Sequence, residues 1–310
     1  MSPPLTIALI PPLALVLDAW WGEPRRLHPL VGFGNLTQAL ENRLHDDSRG
    51  RGALVLTILV LPPVLLVAWL GDRLGVWLCG WPLGTALDLL VLYFAIGWRS
   101  LEDHARRVGE ALTGGDLPGA RRAVSNLVSR DTADLDAPGI ARAAVESVLE
   151  NGNDAIFGAL FWFLVAGAPG AILYRLINTL DAMWGYRTPR YRHFGWPAAR
   201  LDDLLNWAPA RLTALAYALV GHFRPALACW RTQGRLWKSP NAGPVMAAGA
   251  GSLGILLGGA ASYHGAMQDR PSLGLGPAAR AEDIFRAMRL IRHALALWLV
   301  TVPLLALAVS

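Results

Sequence analysis

This chain carries too little charge to clothe itself in water. Of its 310 residues, 16% are Asp, Glu, Lys or Arg and 54% are hydrophobic, whereas about a quarter of a soluble domain is charged. It also holds 13 tryptophans, and its mean hydropathy is +0.36. So few charges cannot cover a body of this size. An ordinary water-soluble globule and a disordered chain are both excluded, and the sequence reads as an integral membrane protein.

A spanning helix needs about 20 mostly apolar residues. Segments 53–70, 76–98 and 155–174 meet this, with Asp88 inside the second and Pro62 and Pro63 predicting a kink in the first. Segment 5–21 qualifies marginally and ends near Asp18. It lacks the basic start of a secretory signal and reads as a retained first segment. Segment 294–310 just suffices, 212–223 is short, and 242–267 is uncharged but rich in Gly and Ala. Trp20, Trp21, Trp69, Trp77, Trp81 and Trp98 fall at segment ends, as an interfacial belt places them. Cys79 and Cys229 have no metal-ligand spacing, which argues against a structural disulfide or a zinc site.

The basic residues constrain topology further. Five lie in 22–52, one in 71–75, seven in 99–154, six in 175–211, four in 224–240 and five in 268–293. Every connection but the one holding Arg73 is therefore predicted to be cytoplasmic, which strict alternation of spans cannot deliver. Segment 155–174 has basic connections on both sides and is interrupted by Gly167, Ala168, Pro169 and Gly170. A re-entrant hairpin, or a helix buried against other helices, resolves the conflict. The same logic removes 212–223 from the crossings and bears on 242–267. Within 99–154, Leu101, Ala105, Val108 and Leu112 repeat at helical spacing. A second helix is expected after Pro118, and Asp136 before Pro138 announces a third. No β-alternation and no GxxxxGK[ST] occurs, so any nucleotide binds without a P-loop.

The expectation is an all-α polytopic membrane protein with three to five crossings. Membrane-depth or re-entrant helices and a cytoplasm-facing helical catalytic side complete it. A single membrane domain covers 1–310, with 99–154 as its largest polar insertion and 175–211 and 224–241 as polar motif loops.

Chemistry concentrates in a few clusters. Glu146, Glu150 and Asp154 are spaced i, i+4, i+8, with Asn151 among them, directly before an uncharged segment. Acids crowded at that boundary ask for a cation, either Mg²⁺ or an ammonium; otherwise they form a solvated helix end. Asp202 and Asn206, at i, i+4 beside Asp203 and ahead of Arg211, suit a cation that itself holds phosphates. Asp203 with Arg200 equally reads as a surface ion pair. Asn178 and Asp181 share a helix face, and Arg130 with Asp131 and Thr132 combines an anion clamp with an acid and a hydroxyl. Both patterns also arise in caps and turns. Lys238, the only lysine, opens with Ser239 and Asn241 a Gly-rich stretch fit for a phosphate-binding turn or a plain helix start. His28 beside Pro29 is a weak signal by itself.

As an ordered set these motifs resemble the CobD/CbiB family of cobalamin biosynthesis proteins, the adenosylcobinamide-phosphate synthases. The matching residues are Gly22, Glu23 and Pro24 with His28 and Pro29, then Arg130 to Thr132, Glu146, Glu150, Asn151 and Asp154. Asn178 and Asp181 with Gly185 and Tyr186 come next, then Asp202, Asp203, Asn206 and Arg211, and then Ser239 to Gly243 with Leu257 to Gly259 and Tyr263 to Gly265. They run from about residue 16 to 290. The family usually has Asp at the position of Glu23, Ala-Pro-Leu-Phe where Gly158 to Phe161 stand, and Trp, Pro and Glu where Pro244, Val245 and Met246 stand.

The resemblance implies ATP-dependent amide formation in vitamin B12 assembly, joining aminopropanol or its O-phosphate to the free propionate of adenosylcobyric acid through an acyl phosphate. It implies that Asp202, Asp203 and Asn206 hold Mg²⁺ against ATP phosphates steadied by Arg211. Glu150, with Glu146 or Asp154, then receives the ammonium and helps remove its proton. Arg130 and Lys238 would contact the amine's phosphate, with Asp131 and Ser239 beside them. Asn178, Asp181 and Asn241 would bond the corrin amides, with Asn151 and His28 as further substrate contacts. Exchanging the two acid clusters' roles fits nearly as well. The inner membrane, lipid and other membrane-bound late assembly enzymes are the implied surroundings, with no nucleic-acid partner. The competing classes are a non-catalytic scaffold of a corrinoid assembly complex and a transporter. The transporter fares worse, because only Asp18 and Asp88 fall inside candidate spans and no repeat is visible.

Overall fold

The computed structural model describes residues 3–24, 28–77, 81–186, 188–263 and 265–309; Cys79, Arg25 and Arg26 fall outside these, as do the side chains of Trp77 and Trp81. Helices dominate. In chain order they are α1 (Pro3–Trp21), α2 (Pro29–Leu44), α3 (Arg49–Trp77), α4 (Trp81–Ala95), α5 (Trp98–Thr113), α6 (Leu117–Val124) and α7 (Ala137–Gly152). A π-helical turn, Asn153–Phe157, leads into α8 (Gly158–Trp184), followed by α9 (Trp196–Leu205), α10 (Trp207–Val220), α11 (Phe223–Gln233) and α12 (Ala242–Leu253). Four three-residue strands, β1 (Leu256–Gly258), β2 (Ala261–Tyr263), β3 (Ala266–Gln268) and β4 (Ser272–Gly274), precede α13 (Ala281–Val309).

Four stretches are long and apolar enough to cross a membrane: Arg49–Leu74, Leu83–Thr113, Ala137–Trp184 and Ala281–Leu304; Leu9–Trp21 is a shorter apolar helix. The protein is an all-α polytopic membrane protein. Large apolar side chains stand outward in rows, Leu9, Leu13 and Val16 on α1 and Ile58, Leu61 and Leu65 on α3, with exposed Trp20, Trp21 and Trp69 near the helix ends. Such a surface requires lipid rather than water.

The chain divides into two compact units, one made of Met1–Trp98, Asp154–Asn206 and Thr301–Ser310, the other of Arg99–Asn153 and Trp207–Val300. In the first, α8 packs against α2, α3, α4 and α9. It is not a straight rod, because Ala166 (φ −139°, ψ 19°) and Gly167 (φ 63°, ψ −154°) leave helical geometry. In a straight helix Gly158 and Tyr174 would stand about 24 Å apart, yet a methyl on Gly158 would lie 2.1 Å from the Tyr174 hydroxyl. A methyl on Gly170 would lie 2.3 Å from the Trp162 carbonyl. The chain therefore doubles back, and the hairpin is the arrangement taken from the two that the sequence allows. α2 is fastened to the connection after α8 by buried Glu41, which accepts from Trp184 Nε1 (2.9 Å), Arg190 Nη2 (2.7 Å) and the Tyr191 hydroxyl (3.0 Å).

In the second unit the expected helix signals hold. Leu101, Ala105 and Val108 are buried on α5, and the Asp136 carboxylate caps α7 by accepting from Gly139 N–H at 2.8 Å. The Gly- and Ala-rich stretch forms the wholly buried α12. A methyl on Gly249 would meet the Leu149 side chain at 2.6 Å, and one on Gly251 the Ala226 Cα at 2.7 Å. Its small residues thus let α7 and α11 approach.

Beyond residue 255 the helical chain also carries short strands. There β1 pairs with β4 and β2 with β3, both antiparallel. Three-residue strands are too short to show alternation, and Gly254, Gly258, Gly259, Gly265 and Gly274 all take positive φ, which ends the helix and turns the chain.

Candidate functional site

The first unit gathers Asp154, Tyr174, Arg175, Asn178, Asp181, Asp202, Asp203 and Asn206. Tyr174, Asn178 and Asp181 fall at i, i+4, i+7 on the second arm of α8, and Asp202 and Asn206 at i, i+4 on α9 and its C-cap. Asp154 sits in the π-helical turn, a local widening that rotates the downstream residues and recurs at functional sites. The doubled-back α8 brings these residues together, and the Trp162 indole, donating to the Leu205 carbonyl at 2.9 Å, holds α9 on the first arm.

Asp202 is the hub. Its Oδ1 accepts from Asn178 Nδ2 at 3.2 Å and its Oδ2 from Asn206 Nδ2 at 3.0 Å. The Tyr174 hydroxyl donates to Asn206 Oδ1 at 2.9 Å, which fixes the amide's orientation, and approaches the Asp154 carbonyl at 3.2 Å. Burial and then the charge of Asp154 raise the Asp202 carboxyl to about 7, against the pull of the two amides. Asp181 and Asp203 lie in the same electrostatic field. The Asp181 carboxylate covers Gly185, where a methyl would meet its Oδ1 at 2.2 Å. Asp203 approaches Arg200 at 3.6 Å, so the ion pair that the sequence allows is present.

Two residues of this centre were not singled out by sequence, Tyr174 and Arg175. Arg175 Nη1 makes only long approaches, 3.4 Å to Asn178 Oδ1 and 3.5 Å to the Asp154 carbonyl, and its Nε is buried with no partner. A methyl on Gly97 would stand 3.3 Å from Glu23 Oε1 and 3.6 Å from Arg175 Nη2, so these two groups flank one glycine. Neither residue has a motif signal, since an arginine and a tyrosine on an apolar helix read as ordinary interfacial groups. His28, expected to touch substrate, is the buried N-cap of α2, accepting from Leu30 N–H at 3.2 Å. Burial lowers its pKa, Arg175 adds to this, and Glu23 opposes it.

Among the described residues, no three His, Cys, Asp or Glu side chains converge to hold a metal ion by themselves. A Mg²⁺ held by one or two carboxylates, its own waters and substrate phosphates does not need such a cage. The donor set suits that mode: carboxylate and amide oxygens, and a hub carboxylate whose hydrogen-bond partners are two neutral amides.

The second unit treats its acids differently. Glu146, expected to act with Glu150 and Asp154, is a buried partner of two arginines. It pairs with Arg130 Nη2 and accepts from Arg270 Nη1 at 3.1 Å and from Gly258 N–H at 2.7 Å. These contacts engage both of its oxygens. Glu150 is half-buried one turn on. Asn151 donates back to the Ser147 carbonyl at 2.9 Å, a helix-internal bond. Asp131 accepts from Ser262 Oγ at 2.7 Å and Gly265 N–H at 2.8 Å, tying the β2–β3 turn; His264 of that turn lies outside the described residues.

The Lys238 stretch is a helix start. Ser239 Oγ accepts from Ala242 N–H at 3.1 Å, and Gly243 abuts the Gly234 carbonyl, where a methyl would lie at 2.2 Å. Lys238 Nζ donates to Gln268 Oε1 at 2.8 Å. Arg211, assigned to phosphate, donates to Asn241 Oδ1 at 2.6 Å and the Pro240 carbonyl at 3.0 Å. Two residues given separate roles by sequence thus hold each other.

Comparison with known proteins gives a consistent answer. The family described as CobD/Cbib protein matches residues 11–291. The chain is 55% identical over 300 residues to the Cobalamin biosynthesis protein CobD of Chromobacterium violaceum, covering 94% of each. It is 56% identical over 290 residues to the protein of that name from Stutzerimonas stutzeri, covering 92% of this chain and 93% of that one. For the Mycobacterium tuberculosis protein of that name the figures are 41% over 285 residues and 90% of each. No solved structure matches.

Proposed function

Because the chain belongs to the CobD/CbiB family and so has a role as an enzyme of cobalamin biosynthesis, we propose that it is the ATP-dependent amide ligase of that route. The reaction joins aminopropanol, or its O-phosphate, to the free propionate of adenosylcobyric acid. The observation that carries this reading is the aspartate centre of the first unit: Asp202 held by two amides and pressed by the charge of Asp154. A carboxylate and an amine do not condense favourably in water, so an activator is required, and an acidic, oxygen-rich centre is what a magnesium nucleotide needs.

Asp202, with Asp203 and Asn206, would hold Mg²⁺ and through it ATP, which when bound supplies the phosphoryl group that activates the propionate. Asn178 and Tyr174 fix the hub, so that Asp202 and Asn206 meet the ligand without rearranging. Asp154 and Asp181 favour the incoming amine as its ammonium, and a carboxylate crowded by other acids then accepts the proton the amine must lose before attack. Arg175, a cation beside this centre, balances the acids before substrate arrives. The excess of basic residues in the polar connections supports a cytoplasmic orientation for the catalytic side.

The test is a mass-spectrometric assay on detergent-purified protein with adenosylcobyric acid, ATP, Mg²⁺ and either amine. Product heavier by the amine minus water, absent without ATP and absent in Asp202→Asn, is the expected result. Product in Asp202→Asn would remove the aspartate centre from the reaction. No product with either amine would favour the scaffold reading.

A further inference from the structure

We infer that the second unit carries an anion site built by Arg130, Arg142 and Arg270 around the Gly258–Ala260 backbone, and that it takes the phosphate group of a small molecule. The three guanidinium groups converge through shared partners. Arg270 Nε donates to the Gly259 carbonyl at 2.9 Å, and Arg142 Nη2 reaches the Ala260 carbonyl at 3.4 Å. Arg130 meets the same segment through Glu146, whose Oε1 accepts from Gly258 N–H. Arg142 and Glu146 lie one turn apart on α7, and the Arg270 guanidinium is backed by the Trp237 ring at 5.2 Å.

Among the described residues, Glu146 is the carboxylate bonded to Arg130 and Arg270, one carboxylate among three guanidinium groups. Two buried donors of the cluster, Arg130 Nη1 and Arg142 Nε, also have no hydrogen-bond partner, and the Arg130 side chain is 4% exposed. Buried charged donors left unpaired are costly and call for a ligand. A phosphate suits such a cluster: it is anionic, and its several acceptor oxygens can meet separate guanidinium N–H groups. A carboxylate brings one charge and two oxygens. The positive-φ glycines Gly258 and Gly259 bring the backbone in, since a methyl on Gly258 would lie 2.1 Å from the Pro271 carbonyl.

This inference rests on the ligation reading where the ligand is the amine's phosphate, but its test reads binding without turnover, so a chain that binds phosphate here and forms no amide keeps the one and loses the other. The experiment is calorimetric titration of the full-length detergent-solubilised chain with inorganic phosphate, at fixed ionic strength and without nucleotide. Acetate serves as the monoanion control, and O-phosphoethanolamine as a phosphate ester. The informative variant is Arg142→Gln, which leaves the Arg130–Glu146–Arg270 pairing in place and so keeps the fold. We expect saturable phosphate binding at one site, none with acetate, and a loss of about tenfold or more in Arg142→Gln without change in its thermal midpoint in phosphate-free buffer. Tighter binding of the ester than of phosphate would identify the source as a phosphorylated substrate, and weaker binding would identify it as free phosphate. Absence of saturable binding by either probe, or equal affinity in Arg142→Gln, overturns the site and leaves the orphan donors to water.

Discussion

Asn178 donates its side-chain amide to one oxygen of Asp202 at 3.2 Å, joining the second arm of α8 to α9. Asn206 takes the other oxygen, so the carboxylate is oriented from both sides. The two kinds of residue should therefore differ in what their loss does. Asp202→Asn removes the charge and is expected to lower ligation by at least about a hundredfold. Asn178→Ala leaves the charge but frees its orientation, with an expected loss of about 10- to 100-fold. Steady-state rates of both variants at saturating ATP check this, and equal losses would mean that Asn178 touches substrate itself.

Glu146 and Glu150 separate structure from chemistry on one helix. Glu146 neutralises two arginines in a buried setting, so Glu146→Gln is expected to cost about 3–5 kcal/mol of stability and to be read first as loss of folded protein. Glu150→Gln alters a half-buried position, and its thermal midpoint should stay near that of the parent. Size-exclusion profiles and thermal scans in detergent measure both. A stable but inactive Glu146→Gln would return Glu146 to the catalytic role that its spacing suggests.

Much of this was legible in the sequence, for identifiable reasons. The charge deficit follows from composition alone and points to a membrane protein, while the absence of β-alternation points to helices. Asp136 before Pro138 is a local capping signal, and α7 begins there. The Gly167–Gly170 break marks the hairpin turn, but its consequence, Tyr174 lying against Gly158, is a contact at sixteen residues' separation that helical periodicity cannot show. The same holds for the acids. The spacing of Glu146, Glu150 and Asp154 predicts one shared face, whereas the arginines that claim Glu146 lie at positions 130 and 270, and Asp154 joins residues that lie beyond the fold-back. Spacing reports which side chains can share a helix face, and tertiary partners decide what each does.

The hairpin in α8 makes a prediction of sign. In an exposed straight helix, replacing Gly by Ala stabilises by about 1 kcal/mol. At Gly158 the added methyl would strike the buried Tyr174 ring, with its Cζ at 2.2 Å, and Gly158→Ala is expected to destabilise by about 1–3 kcal/mol. Thermal unfolding in one detergent measures the sign, and a higher midpoint for the variant would be incompatible with the folded-back arms.

The Asp202 carboxyl sets a pH dependence whose direction is opposite to that of a salt-bridged acid. Burial and the Asp154 charge raise it from the ordinary 3.8 to about 7, so between these values the folded chain binds the proton more tightly than the unfolded one. The contribution to stability is then fully present below about pH 4 and is lost as pH rises through 7. Without divalent cations, the thermal midpoint should accordingly fall between pH 6 and pH 8. A cation that binds the ionised carboxylate reverses this, and Mg²⁺ should stabilise the chain more at pH 8 than at pH 6. Asp202→Asn has no such proton to lose, so both its pH slope and its Mg²⁺ response should flatten. Thermal scans of the two proteins at the two pH values, with and without Mg²⁺, make the comparison. A parent midpoint that rises over this interval without cation would show that the carboxylate is already neutralised within the fold.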